Sequence, residues 1–291
     1  MKKKEEVTVL LEGGCKQKIM GRKHLLTNTE MKVATYVLDH YEEILNYNIT
    51  ELAENAGVSD ASVVRFCKNI GYKGYQEFKV NAAKDVLPSV KHFNPQLEQN
   101  DDPKTICRKI FTSEEKVLER TLAGLDIDMM MQVADCIRKA KKIIFFGSGG
   151  SLLVGMDAQH KFMKIGIQVH VYEDKDLQLM SSSLMKEGDL AFGISHSGSN
   201  NHVLNCLKNA KENGAMTVAL VSQGKSPMSK IAEMALYSAA EKTIFKSESV
   251  STRIAQLAII DSLVAIVAFA DYDDSYEAIQ KTRQATSDGK L

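Results

Sequence analysis

From residue 142 onward, short apolar runs alternate with longer segments in which apolar residues recur at helical spacing. The five apolar runs are residues 142–146, 167–171, 190–194, 217–221 and 235–238. Strands that alternate with helices in this way are typical of a parallel sheet with helices on both faces. The pattern therefore predicts an α/β/α domain with a five-stranded parallel sheet. In the strand order 2-1-3-4-5, the first and third strands would be neighbours at the switch point.

The part of the chain before residue 142 has a helical pattern. A helix is predicted to begin at Thr27, because Thr27 and Glu30 have the spacing of a capping box and apolar residues then recur at helical spacing. Further short helical segments follow to about residue 86. A polar, proline-containing stretch then precedes new helices near Lys104. We predict an all-α domain at 1–86, a linker and leading helix at 87–125, and the α/β domain at 126–291.

The pattern of a helix-turn-helix covers residues 49–66 within the all-α domain. Gly57 supplies the turn, where a left-handed residue is favoured, and Thr50 and Ser59 are placed to cap the first and second helix. Gly71 is placed to end the second helix. The core shared by the two helices is predicted to consist of Leu52, Val58, Val63 and Phe66.

This arrangement leaves small, polar and basic side chains on the outer face of the second helix, as a recognition helix in a DNA major groove requires. Residues 59–80 contain four basic residues and two acidic ones, a local charge suited to DNA phosphates. A glycine between two helices is also common in small helical domains, so the inference depends on the whole pattern. Double-stranded operator DNA is the predicted partner. The candidate contacts are Ser59, Ala61, Ser62, Arg65, Lys68, Lys73 and Lys79.

Two Gly/Ser-rich segments follow predicted strands and precede predicted helices. We name residues 147–151 the first Gly/Ser loop and residues 195–200 the second Gly/Ser loop. A strand that ends in small residues at a helix N-terminus offers converging backbone N–H groups and the positive end of the helix dipole to an anion. Serine hydroxyls can bond to a phosphate and to sugar hydroxyls. Because neither loop contains lysine or arginine, we expect amides and hydroxyls to hold the phosphate of a small phosphorylated molecule.

Composition narrows the class of protein only slightly. The chain has 37 basic and 37 acidic residues among 291, so its net charge points to no partner. Its five cysteines show no C-x-x-C spacing, which favours a cytoplasmic protein without a disulfide framework or metal site, and no cofactor is predicted. The N-terminus lacks the apolar segment of a signal peptide. Residues 254–270 are almost wholly apolar but shorter than the ~20 residues of a membrane span, so we predict a buried core helix and no membrane partner.

Taken together, these segments resemble the RpiR/MurR family of bacterial transcription regulators. The resemblance rests on residues 58–67 and 71–79 in the helical part, and on residues 194–198 and 251–258 in the α/β part. It covers nearly all of residues 25–270. In that family a helix-turn-helix domain precedes a SIS (sugar isomerase) domain. The resemblance implies a homodimer or homotetramer that binds palindromic operators and responds to a phosphosugar.

Carried onto this chain, the resemblance places Ser151, Ser195, Ser197 and Asn200 where SIS proteins hold sugar phosphate. Asn200 stands where threonine is usual, and its longer side chain can shift the ligand. Gly150 stands where alanine is common, which leaves Ser151 intact. The candidate effector contacts are Gly147, Ser148, Gly149, Ser151, Ser195, His196, Ser197, Asn200 and Arg253.

SIS folds also form enzymes, so catalysis is the main alternative. Isomerisation of a sugar needs a base beside the carbonyl, and His196, Glu241 and Glu248 are the available candidates. Instead of acting as a base, His196 can simply line the loop. Instead of contacting the effector, Arg253 can form an ion pair with an acidic residue. A sugar-phosphate isomerase or lyase and a non-DNA-binding assembly module stay open as alternatives. We favour a regulator without enzymatic activity, because an enzyme has no use for a recognition helix.

Overall fold

The computed structural model describes residues 14–86, 97–222, 224–239 and 250–287, apart from the side chains of Val250 and Ser251. The chain divides into two compact units, of which one ends at Ile110 and the other begins at Phe111. Each unit is described by itself. Residues 87–96 of the predicted linker lie outside the described residues, and the predicted domain boundaries remain predictions.

The described part of the first unit is helical. Its helices are α1 (Cys15–Arg22), α2 (Asn28–Asp39), α3 (Ile49–Asn55), α4 (Asp60–Asn69) and α5 (Tyr75–Val86), with 3-10 turns at Lys23–Leu25 and Glu43–Asn46. The predicted capping box at Thr27 is confirmed, because its side chain accepts from the Glu30 N–H and the Glu30 side chain accepts from the Thr27 N–H. The core of the unit includes Phe66 and Phe78, whose rings meet edge to face at 5.9 Å between centroids.

Helices α3 and α4 form the predicted helix-turn-helix. Gly57 has a φ of 65° in the turn, and the Ser59 side chain caps α4 by accepting from the Ser62 N–H. Leu52, Val63 and Phe66 are fully buried, whereas Val58 is only partly buried.

The prediction that Thr50 caps the first helix of the motif is wrong. Asn48 caps α3 instead, two residues earlier, and forms a capping box with Glu51. Thr50 is buried within α3, and its hydroxyl donates to Asp60 Oδ2 at 2.9 Å. Thr50 therefore ties the first helix to the start of the second.

Helix α6 (Pro103–Ala123) begins in the first unit and continues into the second. The second unit contains the sheet. Its other elements are α7 (Ile127–Lys139), β1 (Lys142–Phe146), α8 (Gly150–Lys164), β2 (Val169–Val171), α9 (Lys175–Ser183), β3 (Asp189–Ser195), α10 (Asn201–Glu212), β4 (Met216–Ser222), α11 (Pro227–Ile231), β5 (Met234–Ser238), α12 (Val250–Ala270) and α13 (Tyr272–Ser287). All five predicted strands are present. The strand β2 is shorter than predicted, and β3, β4 and β5 are longer.

The five strands pair in parallel in the order β2-β1-β3-β4-β5, as predicted. Helices α7, α8 and α12 cover one face of the sheet, and α9, α10 and α11 cover the other. On the first face Phe145 and Phe192 stack at 4.5 Å between ring centroids. The fold class is thus a helical helix-turn-helix unit followed by an α/β/α unit.

Helix α12 differs from its prediction in length. It has 21 residues, and the apolar segment Thr252–Ala270 is long and apolar enough to cross a membrane by those two criteria alone. The expectation that the run is too short for a span was therefore wrong. However, Ile259, Ile260 and Leu263 are buried in the core that α12 shares with α7, α8 and the sheet. One side of α12 therefore packs on the core as predicted, but only 33% of the apolar segment is buried, so the helix is less buried than the prediction of a core helix requires.

Candidate DNA-contacting surface and effector site

The recognition helix α4 presents an exposed face at the surface of the helical unit. Ser59, Ala61, Arg65 and Lys68 are exposed, and so is Lys73 beyond the end of the helix. Arg65 lies along this face, where one of its guanidinium nitrogens donates to Ser62 Oγ at 3.0 Å. A guanidinium has five N–H donors, so the other donors can reach a base or a phosphate.

Two predicted DNA contacts are not on the surface. Ser62 is 3% exposed and lies one helical turn from buried Phe66. Its Oγ shares a hydrogen bond with Ser59 Oγ and accepts from Arg65, so neighbouring side chains cover it. Lys79 is 4% exposed, and its ammonium group donates to the Tyr47 carbonyl at 2.8 Å. Its place in α5, four residues after buried Tyr75, puts it on the inner face of that helix. Helical spacing from the neighbouring aromatic residues would have excluded both residues.

The two Gly/Ser loops leave the same edge of the sheet from neighbouring strands. In the register of β1 and β3, Phe146 pairs with Gly193, so the two loops begin side by side at the carboxyl ends of the strands. The first Gly/Ser loop leads into α8 and the second into α10. The structure therefore brings together the N-termini of two helices, as predicted.

The candidate residues in these loops differ in exposure. Gly147 and Ser195 are buried and Gly149 is exposed, whereas Ser148, Ser151, His196, Ser197 and Asn200 are partly exposed. Ser195 is 5% exposed, and its Oγ accepts from the Gly198 N–H at 3.1 Å. The hydroxyl of Ser195 thus holds the shape of the second Gly/Ser loop.

Asn200 has a structural role that explains an amide at this position. Its Oδ1 accepts from the N–H groups of His202 at 3.0 Å and Val203 at 3.2 Å, which makes Asn200 the N-cap of α10. The Nδ2 group of the same amide can still donate to a phosphate.

His196 is oriented by the neighbouring strand. Its Nδ1 and Ser222 Oγ share a hydrogen bond of 2.8 Å, and its carbonyl accepts from the Ser222 N–H at 3.1 Å. These bonds support the interpretation of His196 as a residue that lines the loop. Glu241 and Glu248 lie outside the described residues.

The first two turns of α10, after the second Gly/Ser loop, contain two titratable groups, His202 and Cys206. Burial, reinforced by the positive charge of Lys175, lowers the pKa of His202 below its usual value. Burial raises the pKa of the Cys206 thiol to about 11, so this thiol is protonated at neutral pH. The Cys206 thiol therefore places no negative charge in the first two turns of α10.

Gln178 in α9 is a site residue that the sequence pattern did not identify. Its side chain is 1% exposed, and Nε2 donates to the Gly147 carbonyl at 3.1 Å and to the Tyr172 carbonyl at 2.8 Å. The amide thereby fixes the first Gly/Ser loop to the segment after β2. Gln178 is distant from both loops in sequence, so no local signal marked it.

Arg253 lies against the first Gly/Ser loop. A Cβ atom at Gly150 would collide with the guanidinium group, since it would lie 3.0 Å from Arg253 Cζ and 3.2 Å from Nε. Glycine at this position therefore gives the guanidinium access to the N-terminal end of α8. Alanine, which the resemblance leads one to expect here, would force the arginine to move.

Among the described residues, Arg253 has neither a hydrogen bond nor an ion pair. This observation argues against the alternative of an acidic partner within the described part of the chain. It also changes the expectation that the loops hold phosphate without a basic side chain, because the fold places a guanidinium beside the first Gly/Ser loop.

Two family profiles match the chain. The profile of the helix-turn-helix domain, rpiR family, matches residues 13–89, and that of the SIS domain matches residues 136–266. An uncharacterized HTH-type transcriptional regulator of Caldanaerobacter subterraneus is 34% identical over 265 residues, which cover 91% of this chain and 94% of the relative. One of Haemophilus influenzae is 33% identical over 261 residues, with 88% and 91% covered.

Solved structures share the fold. The NanR protein of Vibrio vulnificus, complexed with ManNAc-6P, superposes with a TM-score of 0.81 at 24% identity, over 96% of this chain and all of that one. The sugar isomerase domain of an RpiR transcription factor from Sphaerobacter thermophilus gives a TM-score of 0.57 at 22% identity, with 62% and 98% covered. The identity and coverage of the curated relatives and the two matched profiles show that the chain belongs to the rpiR family of helix-turn-helix transcriptional regulators with a SIS domain.

Proposed function

We propose that the SIS domain of this regulator senses a phosphosugar and thereby controls DNA binding at genes of sugar metabolism. The observation that carries the proposal is the pair of Gly/Ser loops at one sheet edge, with the guanidinium of Arg253 beside Gly150. Helix N-termini and a nearby arginine suit a phosphate group, and the serine hydroxyls suit the sugar. The similarity to NanR complexed with ManNAc-6P supports this class of effector.

The proposal includes a homodimer or homotetramer on double-stranded operator DNA in the cytoplasm. Two recognition helices must meet half-sites about one helical turn apart, so a change in their spacing alters operator affinity. An effector bound at the sheet edge can therefore act on DNA through the geometry of the oligomer. The proposal needs no membrane, metal or cofactor.

Enzymatic turnover is not part of this proposal. The curated relatives are named transcriptional regulators, and the hydrogen bond of His196 Nδ1 to Ser222 occupies one of its two ring nitrogens. Incubation with phosphosugars, followed by chromatography of the products, tests the alternative of an isomerase or lyase. Accumulation of product would show that the domain is an enzyme.

Reciprocal coupling is the experiment that tests the proposal. A thermal-shift screen of phosphosugars, including N-acetylmannosamine 6-phosphate, first identifies the ligand. Its affinity is then measured with and without a duplex from the promoter of the chain's own gene. We expect the binding free energy of the phosphosugar to differ by about 1–3 kcal/mol between the free and the DNA-bound protein. The binding free energy of the operator should change by the same amount when the phosphosugar is added. Equal affinities would leave the SIS domain as an oligomerisation module.

Arg65 is expected to read the operator. Because it is exposed on the recognition helix, Arg65→Ala should weaken operator binding by ~1–3 kcal/mol if the guanidinium bonds to a base edge. Fluorescence anisotropy with operator and unrelated duplexes measures the difference. Lys68→Ala is the matched variant, and it should weaken both duplexes about equally. If Arg65→Ala folds normally and binds the operator as tightly as the unchanged protein, Arg65 does not contact a base and α4 does not read the operator through it.

A further inference from the structure

The first helix of the described chain is strongly basic. Residues 14–29 contain four lysines and arginines and no acidic residue. They are Lys16, Lys18, Arg22 and Lys23, at or just beyond helix α1. The chain as a whole has equal numbers of basic and acidic residues, so this segment is a local concentration of positive charge.

The end of α1 lies at the C-terminal end of the recognition helix. Arg22 Nη1 donates to the Asn69 carbonyl at 2.8 Å, and it would lie 3.5 Å from a Cβ atom at Gly71. Asn69 follows exposed Lys68, and exposed Lys73 comes two residues after Gly71. Arg22 and Lys23 are thus joined to the segment that carries Lys68 and Lys73.

The carboxylates near this end are occupied by other groups. Glu30 accepts from Asn69 Nδ2 at 2.8 Å and from the Thr27 N–H at 2.9 Å. Glu77 accepts from the Lys73 N–H at 2.5 Å. In the described chain, neither Lys23 nor Lys68 forms an ion pair. The positive charge at this end is therefore available to an external anion.

The length of the recognition helix indicates which anion it meets. With its 10 residues, α4 is about 15 Å long, whereas the major groove of B-DNA is about 12 Å wide. A helix that lies across the groove with its N-terminal half on the bases therefore brings its C-terminal end to a phosphate strand. Phosphate contacts of this kind fix the position of a protein on DNA without reading its sequence.

We propose that Arg22 and Lys23, together with Lys68 and Lys73, form a phosphate clamp at the C-terminal end of α4. The clamp rests on the proposed DNA binding and extends the DNA contacts from the helix-turn-helix to the helix that precedes it. Arg22 also bonds to the last turn of α4, so it holds Lys23 at the edge of the recognition surface. Of the two members at the end of α1, Lys23 is exposed and its side chain has no hydrogen bond among the described residues, so we expect its replacement to leave the fold of the unit undisturbed.

The chain offers a matched control in Lys16. Lys16 is also an exposed lysine, but it lies at the other end of α1, with its ammonium group 4.4 Å from the centroid of the Tyr41 ring. Tyr41 donates to Asp85 near the end of α5 and has no part in the recognition helix. Lys16→Gln and Lys23→Gln therefore each remove one positive charge, the first near the start of α1 and the second just beyond its end.

Binding of the full-length protein to a mixed-sequence duplex, measured by fluorescence anisotropy over a range of salt concentrations, tests the clamp. Lys23→Gln should weaken binding to this duplex and to a promoter duplex alike, by about threefold to tenfold, and should lower the salt slope by ~0.9 per protomer. Lys16→Gln should leave the slope unchanged. An unchanged slope in Lys23→Gln, equal losses in the two variants, or a loss confined to the promoter duplex would each overturn the clamp. Circular dichroism confirms that both variants are folded.

Discussion

Replacement of Gly198 by alanine should destabilise the SIS domain by about 2–4 kcal/mol, the sum of backbone strain and a clash in the core. Gly198 has a φ of 61°, a conformation that costs a residue with a Cβ about 1–2 kcal/mol. The added Cβ would also collide with Ser226 Oγ and would lie 2.5 Å from Ser226 Cβ. The second Gly/Ser loop cannot keep its shape under both demands.

Ser226 is poorly placed to move away from the new methyl group. It is 2% exposed and caps α11, with its Oγ accepting from the Ser229 N–H at 3.2 Å and its own N–H donating to Ser229 Oγ at 3.0 Å. The Gly198 carbonyl also accepts from the Met228 N–H at 3.0 Å. Relief of the clash would break these bonds or shift the loop, so we expect phosphosugar affinity to fall together with stability.

Gly214 provides the control for backbone strain alone. It follows α10 with a φ of 87°, but a Cβ there would have no neighbour closer than Glu187 N at 3.7 Å. Differential scanning calorimetry of the two alanine variants separates the effects. Gly214→Ala should lose only about 1–2 kcal/mol and keep its response to the phosphosugar. If both variants lose the same free energy of unfolding, Ser226 moves away from the new methyl group and the clash does not destabilise the domain.

The order of strands could be predicted because it depends on patterns that are local in sequence. Each parallel strand is an apolar run, and each crossover contains a segment of helical periodicity, which restricts the sheet to a few arrangements. The position of the loops at the carboxyl ends of β1 and β3 follows from the same pattern. The helix-turn-helix was recognisable for a similar reason, since Gly57 and Ser59 determine the turn and the cap within a few residues.

The errors came where two local signals competed. Thr50 has a good capping side chain, but Asn48 stands two residues earlier with Glu51 at the spacing of a capping box, and this pair determines where α3 begins. Lys79 was taken as a surface cation because of its charge. A lysine can bury its aliphatic stem when its ammonium group finds a carbonyl, as it does at Tyr47.

Two features of the effector site depend on contacts between distant parts of the chain. Gln178 reaches the first Gly/Ser loop from a helix that begins almost thirty residues later, and Arg253 reaches Gly150 from about one hundred residues later. Periodicity and loop composition carry no information on such pairs. The replacement of alanine by glycine at position 150 was visible in the sequence, but its reason became apparent only from the position of the guanidinium.

The pairing of Gly150 with Arg253 leads to the second large expected effect. A charged hydrogen bond to a phosphate is worth about 1.5–3 kcal/mol, so Arg253→Gln should lower the affinity for the phosphosugar by roughly 10- to 150-fold. Gly150→Ala should displace the guanidinium and lower the affinity in the same direction. Because Gly150 is the first residue of α8, alanine should at the same time stabilise the unliganded protein, by up to about 1 kcal/mol.

A double-mutant cycle distinguishes this pairing from two independent effects. If Gly150 acts by admitting Arg253, the Gly150→Ala change should cost affinity only while the arginine is present, and the double variant should bind no more weakly than Arg253→Gln alone. Isothermal titration with the identified phosphosugar, and with inorganic phosphate as a probe without sugar, gives the four affinities. Equal costs of Gly150→Ala with and without the arginine would mean that the methyl group disturbs the amides of the first Gly/Ser loop directly. An unchanged affinity in Arg253→Gln would mean that loop amides and hydroxyls hold the phosphate without it, as the loop sequences alone predict.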